Sequence, residues 1–461
     1  MTKRWVYVLV GIWCLAGAVP TTSVRANEAE VSGGRADFPP GPARELERSL
    51  ARIGISPSLT YIAESAANLS GGLRRGAIYQ GRLDLGLSAD LDKLMGWSGA
   101  KFHANVMHIH GDSLSRQYIG NFMSFSGTEA LNHARLYELW IEQEFAKGYS
   151  LRVGQLSADV EFFNSKYSDV FVNATFGWPA IAAVNLPSGG PASGLTAFGF
   201  RAKAQLSDRL TLLFAMFNGD PAGRGPGEAQ NRNAHGLNFR VNDTPLLMGE
   251  LQYSYEAGPR RPGTLKLGGW FHTDRFDDQR YGTDGLSLAD PAGNGEPAQR
   301  RGSFAPYAVI EQMLVPFDGK GDQGIAAFAR IAANQPDRNL IDFYADAGLN
   351  VSGFWPARPN DKFGVGFAYA KISSSARGLD QDALGFGTPG PVRNYEAAFE
   401  LSYLAEVKKG WTVQPTLQYL IHPSGGASNP FTPNSQRIPN AIAVGMRMTM
   451  KWGQREPDAQ Q

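Results

Sequence analysis

A strictly alternating run near the C-terminus constrains the fold more than any other feature. Between Asn440 and Trp452 large apolar side chains occupy every second position, with small, polar or basic residues between them. The apolar set is Ile442, Val444, Met446, Met448, Met450 and Trp452. A period of two places the two sets on opposite faces of a sheet, and the run is long enough for a tilted strand to cross a bilayer. It predicts a membrane-spanning strand with one lipid-facing and one wet face.

The N-terminus has the pattern of an export signal. Lys3 and Arg4 precede an apolar run, and short residues before and at Ala26 suit a cleavage site. A membrane anchor is the alternative, but the run is short for a spanning helix. We predict a signal peptide at 1–26. Cys14, the only cysteine, lies inside it, so the mature chain excludes disulfides and thiolate metal sites.

Charge and hydropathy exclude two classes of protein. The chain has 44 basic and 43 acidic residues, and removing Lys3, Arg4 and Arg25 with the signal leaves 41 basic against 43 acidic. This balance favours no nucleic-acid partner. After the signal no apolar stretch is long enough for a membrane-spanning helix, whereas barrel strands are only half apolar and escape such a search. The 54 glycines and 11% aromatic residues fit an all-β chain.

The chain divides into four predicted segments. After the signal comes an N-terminal leader at 27–56, followed by a barrel at 57–452 and a polar tail at 453–461. Within the leader, apolar residues in Pro42–Ile55 recur at three- and four-residue spacing among charged ones, which predicts a short helix. A disordered leader broken by prolines is the alternative.

Alternating runs separated by turn residues continue through the barrel segment. They include Ile78–Ala89, Glu138–Phe145, Gly199–Leu206, Thr264–Asp274, Phe343–Val351, Tyr395–Tyr403 and Trp411–Ile421. Their polar faces carry too many charges for a dry sandwich core, but a water-filled lumen accommodates them. A raw count gives about seventeen strands, and since bacterial single-chain barrels have even numbers we expect about sixteen, with one run split or merged between Phe217 and Ser303.

Short and long connections alternate roughly along the chain, as in outer-membrane barrels. The short turns are Ala146–Tyr149, Ser207–Arg209 and Val407–Gly410. The long segments are Gly111–Ala134, Leu156–Ser193, Arg275–Ser303, Ser373–Arg393 and His422–Pro439. We expect the short turns to face the periplasm and the long segments the exterior of a Gram-negative cell.

The segment most characteristic of a protein family is Leu151–Arg201, which contains L-R-V-G-Q-L-S-A-D-V-E-F-F-N-S-K-Y and G-W-P. With Gly81–His103, Lys266–Thr273, Gly353–Tyr369 and Gln414–Gly426 it resembles the carbohydrate-selective porin family typified by OprB. The resemblance covers nearly all of the mature chain. It implies a transmembrane antiparallel β-barrel of sixteen strands that passes monosaccharides and related small polar solutes by facilitated diffusion.

The resemblance also implies an inward-folded loop that narrows the lumen, for which Leu156–Ser193 is the candidate because it is long and rich in aromatic residues. A sugar needs planar donors, carboxylate acceptors and an aromatic surface. Side chains alternate between the inner and outer faces of each predicted strand, and this strand phase predicts which residues point into the lumen. The predicted hydrogen-bond donors are Arg82, Arg152, Arg201, Arg240 and Arg330, with Asp84, Glu142 and Glu144 as counter-charges. The loop contributes Asp159, Glu161 and Trp178. Alternatively, these arginines form a structural wall network, and Trp178 packs the loop against the wall.

No sequence pattern indicates catalysis, a cofactor or a metal site. The seven histidines form no helical pair of metal ligands, and His108 and His110 share one strand face. Two rival functions stay open: a general or anion-preferring porin, and a surface β-protein that binds carbohydrate without conducting it. The expected partners are small sugars, outer-membrane lipid and the outer-membrane assembly machinery. The preferred sugar and the number of subunits are not readable from the sequence.

Overall fold

A computed structural model describes residues 34–317, 323–432 and 436–453. Sixteen antiparallel strands form a closed barrel, in which each strand pairs with its neighbours in sequence and the first strand pairs with the last. The strands are β1 (Ile55–Ser70), β2 (Gly76–Asp90), β3 (Ala100–Gly111), β4 (Ala134–Ala146), β5 (Tyr149–Leu156), β6 (Ala197–Ser207), β7 (Leu210–Asn218), β8 (Pro245–Glu256), β9 (Pro262–Gly282), β10 (Pro297–Pro316), β11 (Gly324–Ala333), β12 (Ile341–Ser352), β13 (Lys362–Ile372), β14 (Tyr395–Lys408), β15 (Trp411–Ile421) and β16 (Ala441–Gly453). The predicted fold class and strand number are confirmed.

The alternating run at the C-terminus forms β16, with the predicted faces. Ile442 and Met446 are exposed on the outer surface, whereas Arg447 and Lys451 are buried on the inner one. Closure of the barrel leaves no free sheet edge, so every strand finds partners on both sides.

Short and long connections lie at opposite ends of the barrel, as predicted. The turns at 147–148, 208–209 and 409–410 share one end with the start of β1 and the end of β16. The prediction of a loop at Arg275–Ser303 is wrong. Strands β9 and β10 continue outward as a hairpin, and only residues 283–296 connect them. This hairpin is rich in charged residues and extends beyond the half-apolar pattern of a membrane strand, so its sequence resembles that of a loop.

Short helices lie before the first strand and in the connections between strands. They are α1 (Pro42–Arg52), α2 (Leu91–Met95), α3 (Ala180–Asn185), α4 (Ala229–Arg232), α5 (Ser374–Gly385) and α6 (Pro423–Gly426), with a π-helical turn at Ser115–Ile119 and 3-10 turns at Ala174–Phe176 and Pro187–Gly189. Helix α1 lies in the leader, where the spacing of apolar residues predicts one. Among the described residues, none of these helices has the length and apolarity required to cross a membrane.

The leader reaches the end of β16. The Ala36 amide donates to the Lys451 carbonyl at 3.0 Å, and the Gly453 amide donates to the Ala36 carbonyl at 2.9 Å. Strand β15 begins at Trp411, which pairs with Met450, so it does not reach the last residues of β16. The leader pairs with these last residues instead. The predicted signal peptide and all of the predicted tail except Gly453 lie outside the described residues.

Two long connections fold into the lumen, where the sequence predicted one. We call 112–133 inward loop 1 and 157–196 inward loop 2. Their apolar side chains form the main buried cluster, which includes Phe125, Phe162 and Phe176. The loops also bond to each other, because the Gly127 amide donates to the Val172 carbonyl at 3.1 Å. The core of this protein therefore sits inside the barrel.

Glycines in the wall receive the aromatic side chains of inward loop 2. A β-carbon at Gly366 would lie 2.7 Å from the ring of Phe176 and 2.8 Å from that of Phe171. At Gly348 and Gly364 a β-carbon would come within 3.0 Å of Phe171. Such distances are below van der Waals contact, so only glycine lets these rings pack directly on the backbone of β12 and β13.

Candidate channel constriction

Four charged side chains predicted from the sequence meet in one cluster, which we call the ion cluster: Glu142, Arg152, Arg201 and Glu161. The first three are opposite one another on β4, β5 and β6, and Glu161 approaches from inward loop 2. Arg152 contacts Glu142 at 2.7 Å and Glu161 at 3.0 Å. Arg201 contacts Glu142 at 3.0 Å and Glu161 at 2.6 Å. Each carboxylate therefore bridges both guanidinium groups.

The ion cluster is charge-balanced and firmly held. Its side chains are between 5% and 20% exposed, with Glu161 the most exposed. The Ser150 hydroxyl donates to Glu142 at 2.6 Å, and the guanidinium carbon of Arg152 lies 3.9 Å from the ring centre of Trp140. Because two guanidinium groups face two carboxylates, the cluster presents many hydrogen-bonding groups with no net charge.

A second pair lies on β2. Arg82 donates to both carboxylate oxygens of Asp84, at 3.0 and 2.9 Å, and the two side chains are 21% and 12% exposed. The Arg82 guanidinium also lies 5.7 Å from the ring centre of Tyr137. Asp159 of inward loop 2 accepts from the Ser193 amide at 3.0 Å, so it ties the start of this loop to its end.

Arg330 points to the lumen, as its strand phase predicts, but anchors inward loop 2. Its guanidinium pairs with Asp346, and both side chains are 0% exposed. It also donates to the carbonyl groups of Phe163, Thr175 and Phe176, at 2.9, 3.0 and 3.0 Å. With its donors engaged in this way, Arg330 holds the loop against β11 and β12.

Three other predicted residues also have structural contacts. The Trp178 indole donates to the Gly189 carbonyl at 3.0 Å and is 7% exposed, so it packs within inward loop 2. Glu144 accepts from the Gly148 amide at 3.2 Å in the short turn after β4. The prediction that Arg240 projects from a strand is wrong: it lies in the loop between β7 and β8 and pairs with Asp243.

The error at Arg240 has a physical origin. Leu237, Phe239 and Val241 alternate as they would in a strand, but all three are exposed and β8 begins only at Pro245. A period of two in side-chain polarity therefore appears here without the backbone pairing of a sheet.

Wall carboxylates absent from the predicted set hold the two inward loops. Glu250 accepts from the Phe163 amide at 2.9 Å, Glu400 accepts from the Val172 amide at 2.7 Å, and Glu396 accepts from the Met123 amide at 2.7 Å. Strand phase places these glutamates inside, but their partners are loop amides far away in sequence. No sequence pattern identifies such partners.

Loop anchors occur on a continuous part of the wall, from β8 to β16, and β4 and β5 also bond to the two ends of inward loop 2 through Tyr137 with Ser157 and Gln155 with Thr196. Beyond the glutamates and Arg330, they include Lys266, Asn350, Lys362, Gln414 and Arg447. The ion cluster and the Arg82–Asp84 pair lie on the other part, from β2 to β6. Within the described ranges no group of three or more histidine or acidic residues is arranged to hold a metal ion.

Comparisons with known proteins agree with this architecture. Residues 74–452 match the family model described as carbohydrate-selective porin, OprB family. Porin B of Pseudomonas aeruginosa is 25% identical over 86% of this chain and 87% of its own length, and putative porin QuiX of Acinetobacter baylyi is 20% identical over 84% and 87%. The high-pH structure of Pseudomonas putida OprB is similar in fold, with a TM-score of 0.79, 22% identity and coverage of 91% of this chain and 99% of that chain.

Proposed function

This chain belongs to the carbohydrate-selective porin OprB family of the Gram-negative outer membrane, and we propose that it passes monosaccharides through the lumen along the inner wall formed by β2–β6. The ion cluster and the Arg82–Asp84 pair lie on this wall. The observation that carries the proposal is the ion cluster, because it joins wall and loop with hydrogen-bonding groups of both kinds.

The chemistry of the ion cluster suits a neutral polyhydroxylated solute. A hydroxyl group both donates and accepts hydrogen bonds, so a sugar needs donors and acceptors close together. Arg201 and Glu161 supply them side by side, and Glu161 is 20% exposed. Their mutual contacts fix both side chains before a solute arrives, which reduces the entropy lost on binding.

Charge balance favours a sugar pathway over the anion-preferring alternative. The ion cluster contains two positive and two negative side chains, and Arg82 is neutralised by Asp84. An anion-selective constriction requires an excess of positive charge along the pathway. The paired arrangement instead attracts small polar solutes through hydrogen bonds.

Single-channel recording in planar bilayers tests the proposal. We expect purified, detergent-folded protein to form channels whose current is blocked by glucose and much less by a charged solute of similar size. Arg201→Ala and Arg82→Ala each remove a donor from the β2–β6 wall, and each should weaken glucose block. Arg280→Ala is the matched control, because it removes an arginine of β9 that pairs with Asp382 on α5, away from the β2–β6 wall.

Three outcomes separate the candidate functions. Absence of channel events would contradict every porin function and favour the non-conducting carbohydrate-binding protein. Channels that glucose does not block would favour a general porin. Normal glucose block in both Arg82→Ala and Arg201→Ala would show that sugar binds elsewhere in the lumen.

A further inference from the structure

Three buried polar atoms on the inner wall have no hydrogen-bond partner within the described part of the protein. They are Nε2 of His103, Oδ1 of Asn105 and Nε1 of Trp140. His103 and Asn105 are each 4% exposed, and Trp140 is partly buried. Buried polar groups are nearly always paired, because loss of hydration without a replacement bond is unfavourable.

Strand register brings the three side chains together. His103 on β3 lies opposite Trp140 on β4, and Asn105 lies opposite Glu138 on the same two strands. The rings of His103 and Trp140 have centroids 5.1 Å apart. Ser88 makes a 2.8 Å hydrogen bond with Nδ1 of His103, which orients the ring and leaves Nε2 as its unpaired nitrogen.

This patch borders the ion cluster. Trp140 is two residues before Glu142 on β4, and the guanidinium carbon of Arg152 lies 3.9 Å from its ring centre. Arg152 therefore covers a face of the indole, and the buried N–H on the ring edge is left without a partner. Along β4, His103 and Trp140 lie one same-face row from Glu142, and Asn105 lies one row further.

We propose that His103, Asn105 and Trp140 form a hydroxyl-binding subsite that takes one neutral hydroxyl group of a sugar held at the ion cluster. The indole N–H is a donor, the amide oxygen is an acceptor, and Nε2 of His103 is either, depending on its tautomer. A hydroxyl group uses all three. Burial of these atoms beside a partly exposed ring favours a single small group over a whole sugar ring.

This subsite rests on the proposed sugar pathway, and a panel of deoxysugars tests it separately. Glucose and a series of monodeoxyglucoses are compared as blockers of single-channel current in the wild type and in Trp140→Phe, which keeps the ring and removes the N–H. Loss of one hydrogen bond should weaken block by glucose about three- to tenfold. Trp411→Phe is the matched control, because Trp411 also has an unpaired Nε1 but lies on the outward face of β15.

The deoxysugar pattern distinguishes a binding role from a structural one. We expect one deoxysugar to block the wild type more weakly than glucose and to block Trp140→Phe as well as glucose does, since the same hydrogen bond is then missing twice. Asn105→Ala should abolish the same discrimination. If wild-type block is strong but both variants keep the wild-type deoxysugar pattern, the subsite is refuted and the sugar pathway stands. If glucose does not block the wild type, the pathway itself fails.

Discussion

Replacing Arg330 by methionine should release inward loop 2 from the barrel wall. The guanidinium of Arg330 is fully buried, pairs with Asp346 and donates to loop carbonyl groups at Phe163, Thr175 and Phe176. Methionine fills a similar volume but makes none of these bonds. The variant leaves a buried Asp346 carboxylate without its cation and several loop carbonyls without a donor.

The expected cost is large compared with the stability of most proteins. Removing one partner of a buried ion pair costs about 3–5 kcal/mol, and each lost hydrogen bond adds about 1 kcal/mol. Because the barrel strands keep their own ladder, this cost should appear mainly as loosening of the loop. Single-channel recording should then show a larger and noisier conductance, and limited proteolysis should cut within 157–196.

A double variant separates charge from packing. Arg330→Met combined with Asp346→Asn removes both charges, so it should recover part of the loop order and reduce the current noise relative to the single variant. Wild-type conductance, noise and protease resistance in Arg330→Met would refute the anchoring role of Arg330.

Three further predictions follow from individual contacts. Gly366→Val should displace Phe171 and Phe176, raise conductance and lower the yield of folded protein, whereas Gly249→Val, where a β-carbon meets only one atom at 3.9 Å, should not. Glu161→Gln and Arg201→Gln change the ion cluster by one charge in opposite directions, so reversal potentials in a salt gradient should shift toward anions and cations respectively, by about fourfold in permeability ratio; shifts of both variants in the same direction, or no shift in either, would contradict the assigned cluster. Burial raises the pKa of Glu129 in inward loop 1 from 4.5 to about 7, so the folded state keeps a proton that the unfolded chain has lost between these values. This contribution to stability is present in full below pH 4.5 and is lost as the pH rises through 7, and thermal unfolding of Glu129→Gln should lack that decline; an identical pH profile would refute it.

Residue pattern alone predicts much of the wall. The alternation in β16 predicts its outer and inner faces, because a strand has a side-chain period of two whatever surrounds it. The same rule places Arg82, Arg152 and Arg201 inside. It fails at Arg240, where alternating polarity occurs in a loop, and in the long hairpin of β9 and β10, where strand pairing continues outside the membrane pattern.

The interior of the barrel was less predictable. The resemblance to the OprB family implies an inward loop, and length and aromatic content assign it to Leu156–Ser193. Inward loop 1 is not predicted, although Ile119, Met123 and Phe125 are apolar residues that an exposed loop rarely carries. The sequence also did not distinguish Arg330, which anchors a loop, from Arg201, which belongs to the ion cluster. Both are arginines that point inward from a barrel strand, so the sequence pattern around them is the same in kind.

Local residue patterns were enough to establish a membrane barrel with a polar lumen, because alternation and turn spacing can be read one strand at a time. The division of the lumenal charges between Arg330, which is fully buried under the loop, and the partly exposed ion cluster required the folded chain. Those roles depend on contacts between residues far apart in sequence, such as Arg330 with Phe163 or Arg201 with Glu161. Such contacts follow from the path of the loops through the closed barrel, and strand phase carries no information about that path.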